Sequence, residues 1–325
     1  MKVSRRDFLK YCSASAAALG LGLGDLQRLE AALASSGAPT LIWLHGSGCQ
    51  GDSVSFLNLF SVDFALPGST LTLADVLITH VNLAYHTVVM ASAGQTAITM
   101  ANQAKRKGGY VLVLEGGVPT AFEGRACIIA TDGGQELTYQ QAITNLMGGA
   151  AAVVCVGTCA CFGGIPMSGP DLLEGNPTQV VSCPTFIRST LPAKLIINIP
   201  GCPAHPEWIA WAVVQLILGN VPALDALSRP QALFGNKTVD PHAMNIHENC
   251  PRNVNLGGGN SHATTFGEDG KCLENLGCRG PSTFSNCPSR KWHAGENGPV
   301  NWCVDCNGMC IGCVEEDFPG NDFYA

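Results

Sequence analysis

Between Thr40 and Asn220 the chain alternates short apolar runs with amphipathic stretches. The runs TLIWLH (40–45), DVLITHVNL (75–83), YVLVLEGG (110–117), AAVVCVGTC (151–159) and KLIINIPGC (194–202) are short and apolar on both faces, which predicts buried strands. Between them TAITMANQAKRK (96–107), TYQQAITNLMGG (138–149) and PEWIAWAVVQLILGN (206–220) carry helical spacing. Strands of this kind alternating with helices predict an α/β fold, a parallel sheet covered on both faces. After Asn220 the periodicity gives way to Gly, Pro, Asn and Cys, so a second, smaller and irregular region is expected over 221–325, following a sheet domain over 38–220.

Composition fits a folded chain of this size: 325 residues, 46% hydrophobic and 13% charged. The net charge of −7 argues against a nucleic-acid partner. At the N-terminus Arg5 and Arg6 precede an Ala/Leu/Gly-rich run and the small residues of AALAS (31–35), which resembles a twin-arginine export signal over 1–34. That run is too short and too rich in Gly and Ala to hold as a membrane span. Residues 1–34 carry five Lys/Arg and three Asp/Glu; without them 13 face 22, a net charge near −9.

An exported chain with 16 cysteines invites a disulfide reading. Disulfide-dense scaffolds, however, are small chains lacking an adequate core, and early folding before export suits a cofactor inserted beforehand. The cysteines also fall where a sheet would gather them. Parallel sheets bind ligands beyond the carboxyl ends of their strands, and Cys49, Cys159 and Cys202 each follow a predicted strand with a glycine close by. A second group is His247, Cys250, Cys272 and Cys278, for which iron and zinc fit equally by ligand type. The third is dense: Cys303, Cys306, Cys310 and Cys313 lie within eleven positions, with Cys287 upstream. Ligands in such number point to several redox centres in series.

The motifs WLHGSGCQGD, LEGGVPT, VGTCACFGG, NIPGCPAHPEW, HENCPR, CLENLGCRGP, NCP and CIGCVEEDF, in that order, resemble the small subunit of a [NiFe] hydrogenase over Pro39 to Phe318. The resemblance implies a flavodoxin-like domain carrying a proximal iron-sulfur cluster and a C-terminal domain carrying medial and distal clusters. It implies a separate large subunit holding the nickel-iron centre, so that this chain conducts electrons toward a cytochrome or membrane acceptor. It admits a dimer of heterodimers, and a place in the periplasm or at the outer face of the cytoplasmic membrane. No hydrophobic helix follows Cys313, so no C-terminal anchor is expected. By the same resemblance Cys49, Cys159 and Cys202 match proximal ligands, His247, Cys250, Cys272 and Cys278 the distal set, and Cys287, Cys310 and Cys313 the medial ligands.

Two departures sharpen the expectation. The fourth proximal position, usually Cys, is Asp52, a hard oxygen donor; Asp52 is expected to ligate, with Cys161 or an open iron site as rivals. In the common pattern a proline stands where NWCV places Cys303. Four thiolates favour four irons, so a medial [4Fe-4S] cluster on Cys287, Cys303, Cys310 and Cys313 is expected, making all three clusters [4Fe-4S]; a medial [3Fe-4S] cluster is the alternative. Cys306 is then a spare or an alternative fourth ligand. Glu115 is read either as part of a proton path or as a turn cap, and the cysteines outside these sets as structural.

Overall fold

The computed structural model describes residues 28, 40–58, 82–168, 176–235, 245–255, 261–295, 298–300 and 302–320. The expected export signal, apart from Arg28, and the expected strand over 75–81 lie outside them.

Five strands form one parallel sheet: β1 (Thr40–His45), β2 (Asn82–His86), β3 (Tyr110–Glu115), β4 (Ala150–Val156) and β5 (Ile196–Ile199), in the order β2-β1-β3-β4-β5. This is the flavodoxin-like order, whose ligand crevice opens between β1 and β3, where the winding reverses. Four of the five predicted runs coincide with these strands. The second is displaced: it runs on to His86, because Ala84, Tyr85 and His86 are its buried residues.

The helices that matter are α1 (Gly51–Leu57), α2 (Gly94–Lys107), α3 (Tyr139–Met147), α4 (Thr158–Phe162), α5 (Cys183–Arg188) and α6 (Pro206–Ile217). A capping box starts α3, Thr138 accepting from the Gln141 amide while the Gln141 side chain accepts from Thr138. At the end of α2, Gly108 takes a φ of 69° that a side chain would resist.

Alternate strand residues feed two cores. Ile42, Leu44, Leu112, Leu114 and Val153 pack against Ala97, Ala101, Ile143 and Leu146 of α2 and α3. On the other face Leu41, Trp43, Val113, Val154, Ile197 and Ile199 meet Trp208, Ile209 and Ala212 of α6. Each large apolar side chain so buried contributes about 1.5–3 kcal/mol. The C-terminal region joins this second core through Cys287, Cys313 and Val314, and forms a small core of its own around Ile246, Trp302 and Val304. Its described residues run mostly in turns and short helical segments.

Candidate metal centres

The first group gathers at the sheet's carboxyl edge. Cys49 sits in the loop after β1, Cys159 in the first turn of α4, and Cys202 just beyond β5. Burial, then Cys202, Asp52 and Cys49 in that order, push the Cys159 thiol up to about 12. Burial, Asp52 and Cys49 push Cys202 up to about 11. Cys159 and Cys202 therefore sit in a space too dry to ionise them unaided, with the exposed Cys49 at its edge.

Asp52 is buried in the first turn of α1, a helix the periodicity did not predict. Its Oδ1 accepts the Ala204 amide at 2.6 Å, beside Cys202. A Cβ on Gly157 would come within 2.0 Å of Oδ2, so only glycine fits there. Asp52 is thus wedged between the loops that carry Cys159 and Cys202. Burial first and Glu115 second push its carboxyl up to about 8.

Glu115, at the end of β3, holds that turn in place. Its Oε1 accepts the Asp52 and Ser53 amides at 3.0 and 3.1 Å, and its Oε2 accepts Trp43 Nε1 at 2.9 Å and Ser53 Oγ at 2.5 Å. Of the two readings drawn from sequence, this geometry is the cap: the carboxylate satisfies the first amides of α1. The Cys161 thiol donates to the Cys155 carbonyl. With Cys127, Cys155 and Cys183 it packs in the first core.

The third group surrounds a cavity of about 500 Å³ lined by Cys287, Cys303, Cys310, Cys313 and Trp302. Cys202 of the first group lines the same cavity, and its amide donates to the Cys313 sulfur. Cys303 borders both cavity and solvent, whereas Cys306 is exposed and outside the lining. Burial pushes Cys287 up to about 11 and Cys310 up to about 12.

Anchors on the sheet domain and on the segment just after it hold these thiols. Around Cys287, Asn286 Oδ1 accepts Trp208 Nε1 at 2.9 Å and Arg290 pairs with Glu207 at 2.5 Å. On the Cys313 side, Thr158 Oγ1 donates to the Cys313 carbonyl while accepting the Gly201 amide, so one hydroxyl links all three segments. Arg229, 2% exposed, spans Asp225, Glu315 and the Val314 carbonyl. Sequence reading missed Thr158 and Arg229, because only the tertiary fold shows what they touch.

The second group lies beyond the third. Cys278 is close enough to Cys303 and Cys310 to raise both thiols further, after burial. The next amide along, that of Arg279, donates to the Cys310 carbonyl at 2.8 Å. A ring nitrogen of His247, the Cys272 sulfur and a Glu274 oxygen lie within 4.8 Å of one another. Cys250 takes part through Cys278 and Cys272, both of which raise its thiol after burial has done so. All twelve predicted ligand residues therefore fall into three adjoining groups in the order first, third, second.

The donor sets fit iron-sulfur clusters. All fifteen described cysteines are free thiols. Backbone amides point at the sulfurs, Arg252 at Cys250, Glu274 at Cys272 and Gly312 at Cys310, the bonding that stabilises thiolates on a cluster. The buried Trp302 Nε1 beside the cavity finds no acceptor among the described residues, leaving a donor for a sulfur within.

Comparison with known proteins identifies the family. Residues 49–216 match the family described as NADH ubiquinone oxidoreductase, 20 Kd subunit, and residues 242–324 match the family described as the C-terminal part of the NiFe/NiFeSe hydrogenase small subunit. The periplasmic [NiFeSe] hydrogenase small subunit of Desulfomicrobium baculatum is 37% identical over 98% of this chain and 97% of its own length. The periplasmic [NiFe] hydrogenase small subunit of Solidesulfovibrio fructosivorans is 33% identical over 97% of this chain and 90% of its own. The structure of the recombinant [NiFeSe] hydrogenase from Desulfovibrio vulgaris Hildenborough in the oxidised state superposes with a TM-score of 0.72, at 37% identity, covering 89% of this chain and 96% of that one. By its fold, its cysteine groups and its relatives along nearly its whole length, the chain belongs to the small-subunit family of [NiFe] and [NiFeSe] hydrogenases.

Proposed function

We propose that this chain is the electron-transfer subunit of an exported hydrogenase, carrying electrons from H2 oxidised at the nickel-iron centre of a large subunit to a cytochrome or membrane acceptor. Residues 38–220 would hold the proximal cluster on Cys49, Asp52, Cys159 and Cys202. Residues 221–325 would hold the medial cluster on Cys287, Cys303, Cys310 and Cys313 and the distal cluster on His247, Cys250, Cys272 and Cys278. Bound clusters supply one-electron carriers whose potentials follow ligand type, hydrogen bonds to sulfur and burial.

One observation carries the reading: the cavity lined by four medial thiols also touches Cys202 of the proximal set, while Cys278 of the distal set bears on Cys303 and Cys310. Contacts at both ends are what a series of carriers requires. The chain's own part is to exclude water and to fix each donor. Glu115 fixes the Asp52 turn, Thr158 and Arg229 fix Cys313 and Val314, and Trp208 fixes the Asn286–Cys287 corner. Asp52, raised by burial and Glu115, would gain a positive neighbour with iron bound. No helix among the described residues is long and apolar enough to cross a membrane. The two small subunits from Desulfomicrobium baculatum and Solidesulfovibrio fructosivorans are named as periplasmic, which supports export to that compartment.

The test is electron paramagnetic resonance on the complex purified anaerobically, beside Cys303→Ala. The proposal expects three four-iron clusters in the wild type and a three-iron signal in the variant. A three-iron signal already present in fresh wild-type protein would replace the medial assignment with [3Fe-4S], and the lack of iron and sulfide would remove the carrier role.

A further inference from the structure

Next to His247 stands a carboxylate that the ligand sets leave unused. Glu274 Oε2 lies 3.7 Å from His247 Nε2 and 3.3 Å from His262 Nε2. One carboxylate oxygen thus faces two imidazoles. The placement is built by the backbone: the Glu274 amide points at the Cys272 sulfur, and His262 pairs with Cys272 across an isolated bridge. Glu274 and His262 are partly exposed, at 39% and 36%, while His247 is at 15%.

A carboxylate beside one ring nitrogen favours the proton on that nitrogen and leaves the lone pair on the other. A metal-bound histidine usually gives its remaining N–H to such a partner, which fixes the tautomer, holds the ring and makes the ligand more basic. We propose that Glu274 is a positioning residue for the distal centre: its Oε2, 3.7 Å from His247 Nε2, orients that edge of the ring, so that Nδ1 is the donating atom. His262 shares the same oxygen at 3.3 Å and steadies the carboxylate. The local negative charge favours the oxidised state of that centre, which lowers its reduction potential. The proposal rests on the reading of His247 as a distal ligand.

The test uses the anaerobic holo complex with 15N-histidine, comparing wild type with Glu274→Ala and Glu274→Gln by redox titration and pulsed electron paramagnetic resonance. Glu268→Gln serves as the control. It removes a charge from the neighbouring turn, where Glu268 binds Thr264, Thr265 and Lys271 and neither imidazole. The expected result is an upward shift in the midpoint of the histidine-coupled cluster in both Glu274 variants. In Glu274→Ala the nitrogen coupling also changes, while the other two midpoints and iron content stay at wild-type values. The control leaves all three midpoints in place. A nitrogen coupling present in wild type and unmoved in Glu274→Ala, with an unmoved midpoint, would overturn the role of Glu274 alone. A wild-type spectrum with no imidazole coupling would overturn the ligand assignment of His247, and the positioning role with it.

Discussion

Replacing Arg229 with Met should loosen the segment that carries Cys313 without touching any predicted ligand. Arg229 donates Nε to Asp225 Oδ2 at 2.8 Å, and Nη1 to Glu315 Oε2 at 2.9 Å and to the Val314 carbonyl at 3.1 Å. Burial opposes its charge, but Glu315 and Asp225 together outweigh burial and raise its pKa above the ordinary value. Removing one partner of a buried ion pair costs about 3–5 kcal/mol, because the other charge is stranded. Here the lower end applies. Asp225 Oδ1 keeps the Leu227 and Arg229 amides, and Glu315 Oε1 keeps the Phe284 amide, so neither carboxylate is left bare. A loss of about 3 kcal/mol corresponds to roughly a hundredfold rise in local opening. Amide hydrogen exchange at Phe284 and Glu315 in the holo complex reads it directly. Adding Asp225→Asn and Glu315→Gln to Arg229→Met should recover much of the loss, since the stranded charges go with their partner. Unchanged exchange in the single variant would refute the clamp.

Other consequences follow from buried polar groups. His86 Nδ1 accepts the Val88 and Val89 amides, and burial, then His45, hold its pKa down at about 4 against an ordinary 6.5. Below about pH 6.5 the unfolded chain binds a proton that the folded chain refuses, so stability falls on acidification and levels off below about pH 4. The loss at pH 5 is about 2 kcal/mol, and His86→Asn should flatten the fall in melting temperature between pH 7 and pH 5. Glu115→Leu strands the Asp52 and Ser53 amides and Trp43 Nε1, each costing about 1–3 kcal/mol; the expected readout is a lower melting temperature and loss of the proximal signal, with Glu115→Gln milder. Asp52→Ala should alter the proximal signal in electron paramagnetic resonance, and an unchanged spectrum would remove Asp52 from the ligand set.

Most of the sheet was legible in the sequence because β1, β3, β4 and β5 are buried on both faces and so read as apolar runs. β2 was misplaced because Asn82 and Leu83 look like the end of a run whose buried part is Ala84 to His86. Helix α1 carries little apolar periodicity; it forms where Glu115, distant in sequence, caps its amides, so local pattern does not disclose it. The cysteines proposed as ligands stand out by type and density, since dense thiols in a glycine-rich frame have few other uses, and their division into three sets follows from the family resemblance. Their support does not stand out. Thr158, Arg229 and Glu274 are ordinary residues in sequence, and they acquire meaning only from the partners that tertiary structure brings within reach. The structure likewise separates Cys303, on the cavity wall, from Cys306, which spacing alone left interchangeable.

The most direct test of the electron-carrier account is H2-dependent reduction of a viologen dye by the complex that co-purifies anaerobically with a C-terminal tag on this chain. Dye reduction accompanied by a larger, nickel-containing partner is the predicted result. Iron and sulfide present, a partner bound and no H2-dependent reduction would contradict it and assign this chain of carriers to a different catalytic subunit.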